Sequence, residues 1–193
     1  MNERLLRTFI AVSVPRQVIK VRDMLATTIE DKKGRIRWVK NGQIHLTLKF
    51  LGHTPPDQVG RIKNTINQVV NKHVGMQYSI SGTGCFPVPE RPRVLWLGIE
   101  GDYAPLQALV TDLDRALEPL GFPVEEKEFI PHITIARIKY PPKRTPEITR
   151  FLNTTYEALT MHVNRVLFMS SELFPNGPIY SILGTHFLKS EDN

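Results

Sequence analysis

PHITIAR, residues 131–137, reads as a core β-strand, yet it sets a histidine and a threonine two residues apart, at positions that point the same way. IHLTLKF, residues 44–50, repeats the arrangement. Side chains of an extended strand alternate between faces, so His45 and Thr47 share one face while Leu46 and Leu48 take the other. His132 and Thr134 are opposed in the same way by Ile133 and Ile135. A lone strand histidine is most often a hydrogen-bonded structural residue, and a lone strand threonine reflects β-propensity. Two matched pairs shift the reading toward a site with a core face beneath it.

Working outward from the motifs, RTFIAVSV (7–14) reads as a strand. Pro15 opens a helical stretch to about Lys33, with Val18, Val21, Leu25 and Ile29 at helical spacing. The first motif strand follows the turn at Asn41-Gly42. Pro55-Pro56 and Asp57 introduce a helix over 57–72 with the stripe Val59, Ile62, Ile66 and Val69. Strands at 77–86 and 93–100 precede a helix over 104–120 that stops at Gly121. The pattern then restarts with a strand over 128–139, a helix over 147–158, and strands near 160–172 and 178–188. Strand, helix, strand thus occurs twice, and the expectation is a single unit, 1–193, made of two half-chain lobes.

The bulk composition sets outer limits. Apolar residues form 41% of the 193 residues and charged ones 23%, which is globular rather than disordered or coiled-coil. A net charge of +6 leans toward polyanionic partners, because clustered Lys and Arg displace counterions from phosphates. The single cysteine, Cys85, excludes an intramolecular disulfide and a Cys-rich zinc cluster. No stretch is apolar for long enough to span a membrane. A soluble protein of a reducing, cytoplasmic setting is expected, with no membrane and no obligatory protein partner.

Two imidazoles facing one another across a cleft supply a general base and a general acid near neutral pH. Phosphodiester hydrolysis needs that pair: one neutral histidine takes a proton from attacking water and one protonated histidine delivers a proton to the departing ribose oxygen. No metal or other cofactor is required. A threonine hydroxyl two residues along the same face can donate a hydrogen bond to a phosphoryl oxygen whose charge rises in the transition state. Lys49, four along from His45, is expected on the same face, adding positive potential. Arg137, five along from His132, is turned away by strict alternation unless the strand bends or ends there.

The paired HLTL and HITI, with FIAV near the N-terminus, RWVKNGQIHLTLKFLG and PHITIAR, resemble the two-histidine (2H) phosphoesterases, specifically the RNA 2′,3′-cyclic phosphodiesterases formerly called 2′-5′ RNA ligases. The resemblance spans nearly the whole chain. It implies an α+β, bilobal, pseudo-two-fold symmetric fold, each lobe a mainly antiparallel sheet with helices on its outer side and the motif strands lining a central groove. It implies His45 as proton donor, His132 as proton acceptor, and Arg137 as a phosphate ligand. On Arg137 the resemblance and strict alternation disagree; we follow the resemblance, on the ground that the motif strand ends there. The implied reaction opens a 2′,3′-cyclic phosphate at an RNA end to a 2′-phosphomonoester, with weak ATP-independent 2′-5′ joining in reverse.

The remaining candidates are weaker. The basic segments 32–40 and 139–144 place Lys and Arg beside Trp38 and Tyr140, which could grip an RNA backbone and stack a base; a solvated surface with Trp38 packed in the core is the somewhat favoured reading, given the general habit of aromatics to be buried. The glycines of 82–94 lack the Lys-Ser/Thr ending of a phosphate-cradling loop. His53, His73, His162 and His186 lack both the threonine partner and metal-ligand spacing, and Trp96 and Cys85 read as core. A small cyclic phosphate as substrate, or an RNA-end-binding module without turnover, remain open alternatives.

Overall fold

The computed structural model describes residues 4–32, 34–139, 145–175 and 177–190. In chain order they form β1 (Leu6–Ser13), α1 (Val18–Ala26), β2 (Ile36–Trp38), β3 (His45–Thr54), α2 (Val59–Val70), β4 (Met76–Phe86), β5 (Val94–Glu100), α3 (Ala104–Leu117), β6 (His132–Ile138), α4 (Thr149–Leu152), β7 (Leu159–Val163), β8 (Arg165–Phe174) and β9 (Gly177–Phe187). Short 3-10 turns precede α2 at Pro56–Gln58 and follow α3 at Glu118–Leu120. Gly121 ends the latter with φ +90°, a left-handed position where glycine carries no Cβ penalty.

The strands join in one sheet in the order β7-β4-β5-β6-β3-β1-β8-β9, with β2 paired to β6 off that path. Their pairings are all antiparallel. The order has its centre at β6 and β3, which are paired at Leu46 with Ile133. On one side β3 adjoins β1, and on the other β6 adjoins β5. Two four-strand arms therefore meet at the motif strands. This order fits the two-fold relation expected of the halves.

One face of the sheet is covered by the helices. Leu46, Leu48, Ile133 and Ile135 are buried there with Ile62 and Ile66 of α2 and with Leu106, Leu109, Leu113 and Leu117 of α3. Of the two expected stripes, Val18, Val21, Leu25 and Ile29 are buried, as are Ile62, Ile66 and Val69, while Val59 is half-buried; burial of each such side chain contributes about 1.5–3 kcal/mol to folding. Beneath β3, the ammonium of Lys49 bonds the carboxylate of Asp114 on α3 and, at 2.7 Å, the carbonyl of Pro123.

Several boundaries differ from the sequence reading. α1 ends at Ala26, where the hydroxyls of Thr27 and Thr28 donate to the carbonyls of Met24 and Leu25, both at 2.7 Å, and compete with the helix. β6 begins at His132 rather than 128, because Pro131 has no N–H to give a ladder. The expected helix over 147–158 is one turn, α4, after which the Thr154 hydroxyl donates to the Arg150 carbonyl at 2.6 Å. The expected strand over 160–172 is two strands parted at Asn164: β7 pairs β4 in one arm and β8 pairs β1 in the other. A hydropathy run cannot reveal a crossing of that kind, since both strands are apolar on the same scale.

Candidate active site

The two motif pairs lie on the face opposite the helices. One residue outward from the Leu46–Ile133 pairing, antiparallel register sets His45 across from Thr134 and Thr47 across from His132. The imidazoles are therefore diagonal neighbours on adjacent strands, where long side chains remain within reach of one another. All four residues are half-buried. Among the described residues, neither Thr47 nor Thr134 spends its hydroxyl on a protein partner.

The same local device orients both rings. Nδ1–H of His45 donates to the carbonyl of Gln43 at 2.8 Å, and Nδ1–H of His132 donates to the carbonyl of Ile130 at 2.7 Å, each two residues upstream. A neutral imidazole with its proton held at Nδ1 has its lone pair at Nε2. Aromatic rings fix the remaining freedom. Phe9 stacks on His45 with centroids 4.9 Å apart and Tyr180 meets its edge at 5.5 Å. Phe86 meets His132 edge-on at 4.9 Å, with Trp96 6.3 Å away.

Each motif strand carries a β-bulge, and the bulges settle the parity of its far end. On β3, Ile10 pairs with Lys49 and Ala11 with Thr47, so Leu48 is the extra residue. On β6, Leu95 pairs with Ala136 and Trp96 with Thr134, so Ile135 is the extra residue. An extra residue in one strand reverses the alternation beyond it. Lys49, expected on the site face, is instead turned under the sheet to Asp114 with its side chain 5% exposed, and the expectation that it contacts substrate is corrected. Arg137, which strict alternation turned away, joins the histidine face. The strand does not end there, as supposed; it runs to Ile138 and changes phase.

Arg137 acts electrostatically on both histidines. Burial is the largest cause holding His45 and His132 below the ordinary imidazole value; the Gln43 and Ile130 carbonyls pull the other way, and the Arg137 cation adds to the lowering of each. Burial raises the Tyr180 phenol, and the same guanidinium opposes that shift. One cation thus reaches the imidazoles of both arms.

Trp38 is not part of this face. It pairs with Ala136 and so points to the helix side, packed against the core beside Arg22 and Ala26 of α1; its assignment as a substrate contact is corrected, alternation within β2 being the reason. Trp96 departs in the opposite sense: read as core, it pairs with Thr134 and stands on the motif face. Phe9, Tyr180 and Phe86 were not found from the sequence, which does not show which strands will flank the motif strands. Of the other histidines, His53 and His162 are exposed, His73 bonds Asp112 at 3.0 Å, and His186 is buried. Burial pushes the Cys85 thiol up, with Glu90 adding to it, which disfavours a nucleophilic thiolate. Of the segment 139–144, residues 140–144 lie outside the described residues.

Residues 10–173 match the family model described as the 2'-5' RNA ligase superfamily. The chain belongs to that family. A Thermotoga maritima protein named RNA 2',3'-cyclic phosphodiesterase is 33% identical over 92% of this chain and 93% of its own length. An Aquifex aeolicus protein of the same name is 30% identical over 96% and 98%. A crystal structure of a Thermus thermophilus protein superposes with a TM-score of 0.79 at 29% identity, covering 96% of this chain and 99% of that one. E. coli LigT in its apo form shares the fold, with a TM-score of 0.73 at 19% identity, over 97% and 99%.

Among the described residues no three His, Cys, Asp or Glu side chains gather as a metal site. No helix of the described residues is long and apolar enough to cross a membrane.

Proposed function

We propose that this superfamily member is a cyclic phosphodiesterase that hydrolyses RNA 2′,3′-cyclic phosphate ends to 2′-phosphomonoesters by histidine acid-base catalysis. The observation that carries the reading is the shared pose of His45 and His132: each ring is tied at Nδ1 to a backbone carbonyl two residues upstream, leaving Nε2 for proton transfer, with one guanidinium serving both. The names of the Thermotoga and Aquifex relatives support the substrate class.

In the proposed reaction, Nε2 of neutral His132 takes a proton from water as its oxygen attacks phosphorus. The P–O3′ bond breaks, and Nε2 of protonated His45 gives its proton to the departing 3′ oxygen. The phosphate remains on O2′ as a monoester, and the two histidines have exchanged protonation states. The family resemblance supplies which ring is donor and which acceptor. Thr47 and Thr134 donate to the non-bridging oxygens, whose charge grows as water attacks. Arg137 offsets the phosphate charge. A 5′-hydroxyl in place of water would give the 2′-5′ joining reaction by the same proton transfers.

The test is hydrolysis of a 2′,3′-cyclic nucleotide in excess chelator, with the product isomer read by phosphorus NMR. The wild type is expected to yield only the 2′-monoester. His45→Ala and His132→Ala are each expected to lose activity by about 10²–10⁴-fold, the usual worth of a positioned acid or base. Undiminished turnover in either variant removes the mechanism.

A further inference from the structure

Within the basic segment 32–40, one residue has a partner of the same charge on a motif strand. Arg37 of β2 pairs directly with Arg137 of β6. Residues paired across antiparallel strands share a face, so Arg37 stands on the histidine face while its neighbours Ile36 and Trp38 turn to the core. Both arginines are exposed. Among the described residues, neither guanidinium has a carboxylate within ion-pair distance.

Like charges directly opposite one another on a sheet are destabilising unless an anion lies between or beside them. Arg137 shares the histidine face through the Ile135 bulge, and its charge is felt by both rings. Arg37 stands on β2, across the edge of the motif strand β6, so its place is beside the histidines' own strand and not on it. Placed one strand over, at the rim of the same face, it suits an anion adjacent to the one the histidines hold. In a single-stranded nucleic acid the adjacent anion is the neighbouring phosphodiester. A planar guanidinium, always charged and able to give two parallel hydrogen bonds, fits that group.

We propose that Arg37 binds the phosphodiester next to the terminal cyclic phosphate, which makes the face selective for the end of an oligonucleotide over a free cyclic nucleotide. The inference rests on the reading of the histidine face as a cyclic-phosphate site, and it decides between the two substrate classes that the sequence left open.

The experiment compares kcat/KM on a 2′,3′-cyclic mononucleotide and on a short oligoribonucleotide with the same end, for wild type, Arg37→Gln and Arg37→Lys, between about 50 and 200 mM salt. Arg37→Gln is expected to lower the oligonucleotide-to-mononucleotide ratio about ten-fold, the effect of losing one charged hydrogen-bonding contact. The salt dependence on the oligonucleotide should become shallower by about 0.7 in log-log slope, one phosphate contact on a single strand. Arg37→Lys should retain the slope while recovering part of the ratio. An unchanged ratio, or equal losses on both substrates, overturns the proposal. Binding of an oligonucleotide carrying a 2′-phosphate against the matching nucleotide monophosphate gives the same comparison without turnover. There a loss confined to the oligonucleotide supports Arg37's part even if the catalytic reading fails, and equal losses or none overturn it.

Discussion

Lys49 of the first motif strand and Asp114 of α3 form an ion pair buried beneath the histidine face. It is the consequence of the Leu48 bulge, which turns an ammonium that alternation would have aimed at the histidine face down to Asp114 and the Pro123 carbonyl. Removing one partner of such a pair strands the other charge in a medium that cannot solvate it. Lys49→Met is therefore expected to destabilise the fold by about 3–5 kcal/mol, whereas Lys49→Met with Asp114→Leu should recover most of that loss. Urea unfolding of both variants measures it. A double variant as unstable as the single one would show that the pair is not coupled.

Because burial and Arg137 both hold His45 and His132 low, the free enzyme carries both rings neutral at pH 7. In the proposed reaction the acid needs its proton, so kcat/KM should rise as pH falls below 7 and then drop once the base is protonated, with an optimum on the acid side of 6.5. Bound phosphate favours the charged rings, so the kcat profile should peak at higher pH than that of kcat/KM. Arg137→Gln removes a cation that lowers both histidines; beyond weakening substrate binding, it should move the kcat/KM optimum upward. An optimum unmoved in this variant would mean the guanidinium does not act on the rings.

Gly84 of β4 marks another constraint on the face. A Cβ built there would lie 2.1 Å from Cζ2 of Trp96, so the indole crosses the strand only because the position has no side chain. Gly84→Ala should cost about 1–3 kcal/mol by overpacking and should lower turnover by displacing Trp96 from beside His132. Adding Trp96→Leu should return the stability but not the activity. Denaturation midpoints of the two single variants and the double one decide it; additive losses would mean that the two positions do not touch.

The first half of each motif strand was legible in the sequence because two-residue periodicity holds from His45 to Thr47 and from His132 to Thr134. It failed at the fourth residue of each motif for one reason. Bulges at Leu48 and Ile135 are set by pairing with β1 and β5, distant in sequence, and nothing local in HLTLKF or HITIAR announces them. That single feature misplaced Lys49 and left Arg137 ambiguous. The helical stripes were legible because burial and period coincide over several turns. The crossing at Asn164 and the aromatic supports Phe9, Phe86 and Tyr180 were not, since an apolar strand gives no sign of which neighbour it will meet.

His186 supplies a pH dependence of stability separate from that of catalysis. It lies on β9, 6% exposed, with Nε2 buried and without a hydrogen-bond partner among the described residues, and the Lys63 side chain of α2 close by. Burial first, and the Lys63 charge second, lower it from the ordinary value of 6.5. In the unfolded chain the ring takes up a proton as pH falls through 6.5, while in the folded protein it does not until the lower value is reached. Between those two values the unfolded state binds more protons, so stability is full above 6.5 and is lost as pH falls through that window. The half-buried His45 and His132 have the same sign and add to the trend. His186→Leu abolishes one such site, so its unfolding free energy should decline less between about pH 7 and pH 5, with a slope smaller by up to about 1.4 kcal/mol per pH unit inside the window. The variant should lie within about 1 kcal/mol of wild type at neutral pH, an apolar group there leaving no polar atom unsatisfied. Urea titrations at half-unit pH steps give both curves, and parallel curves would show that the ring does not titrate with folding.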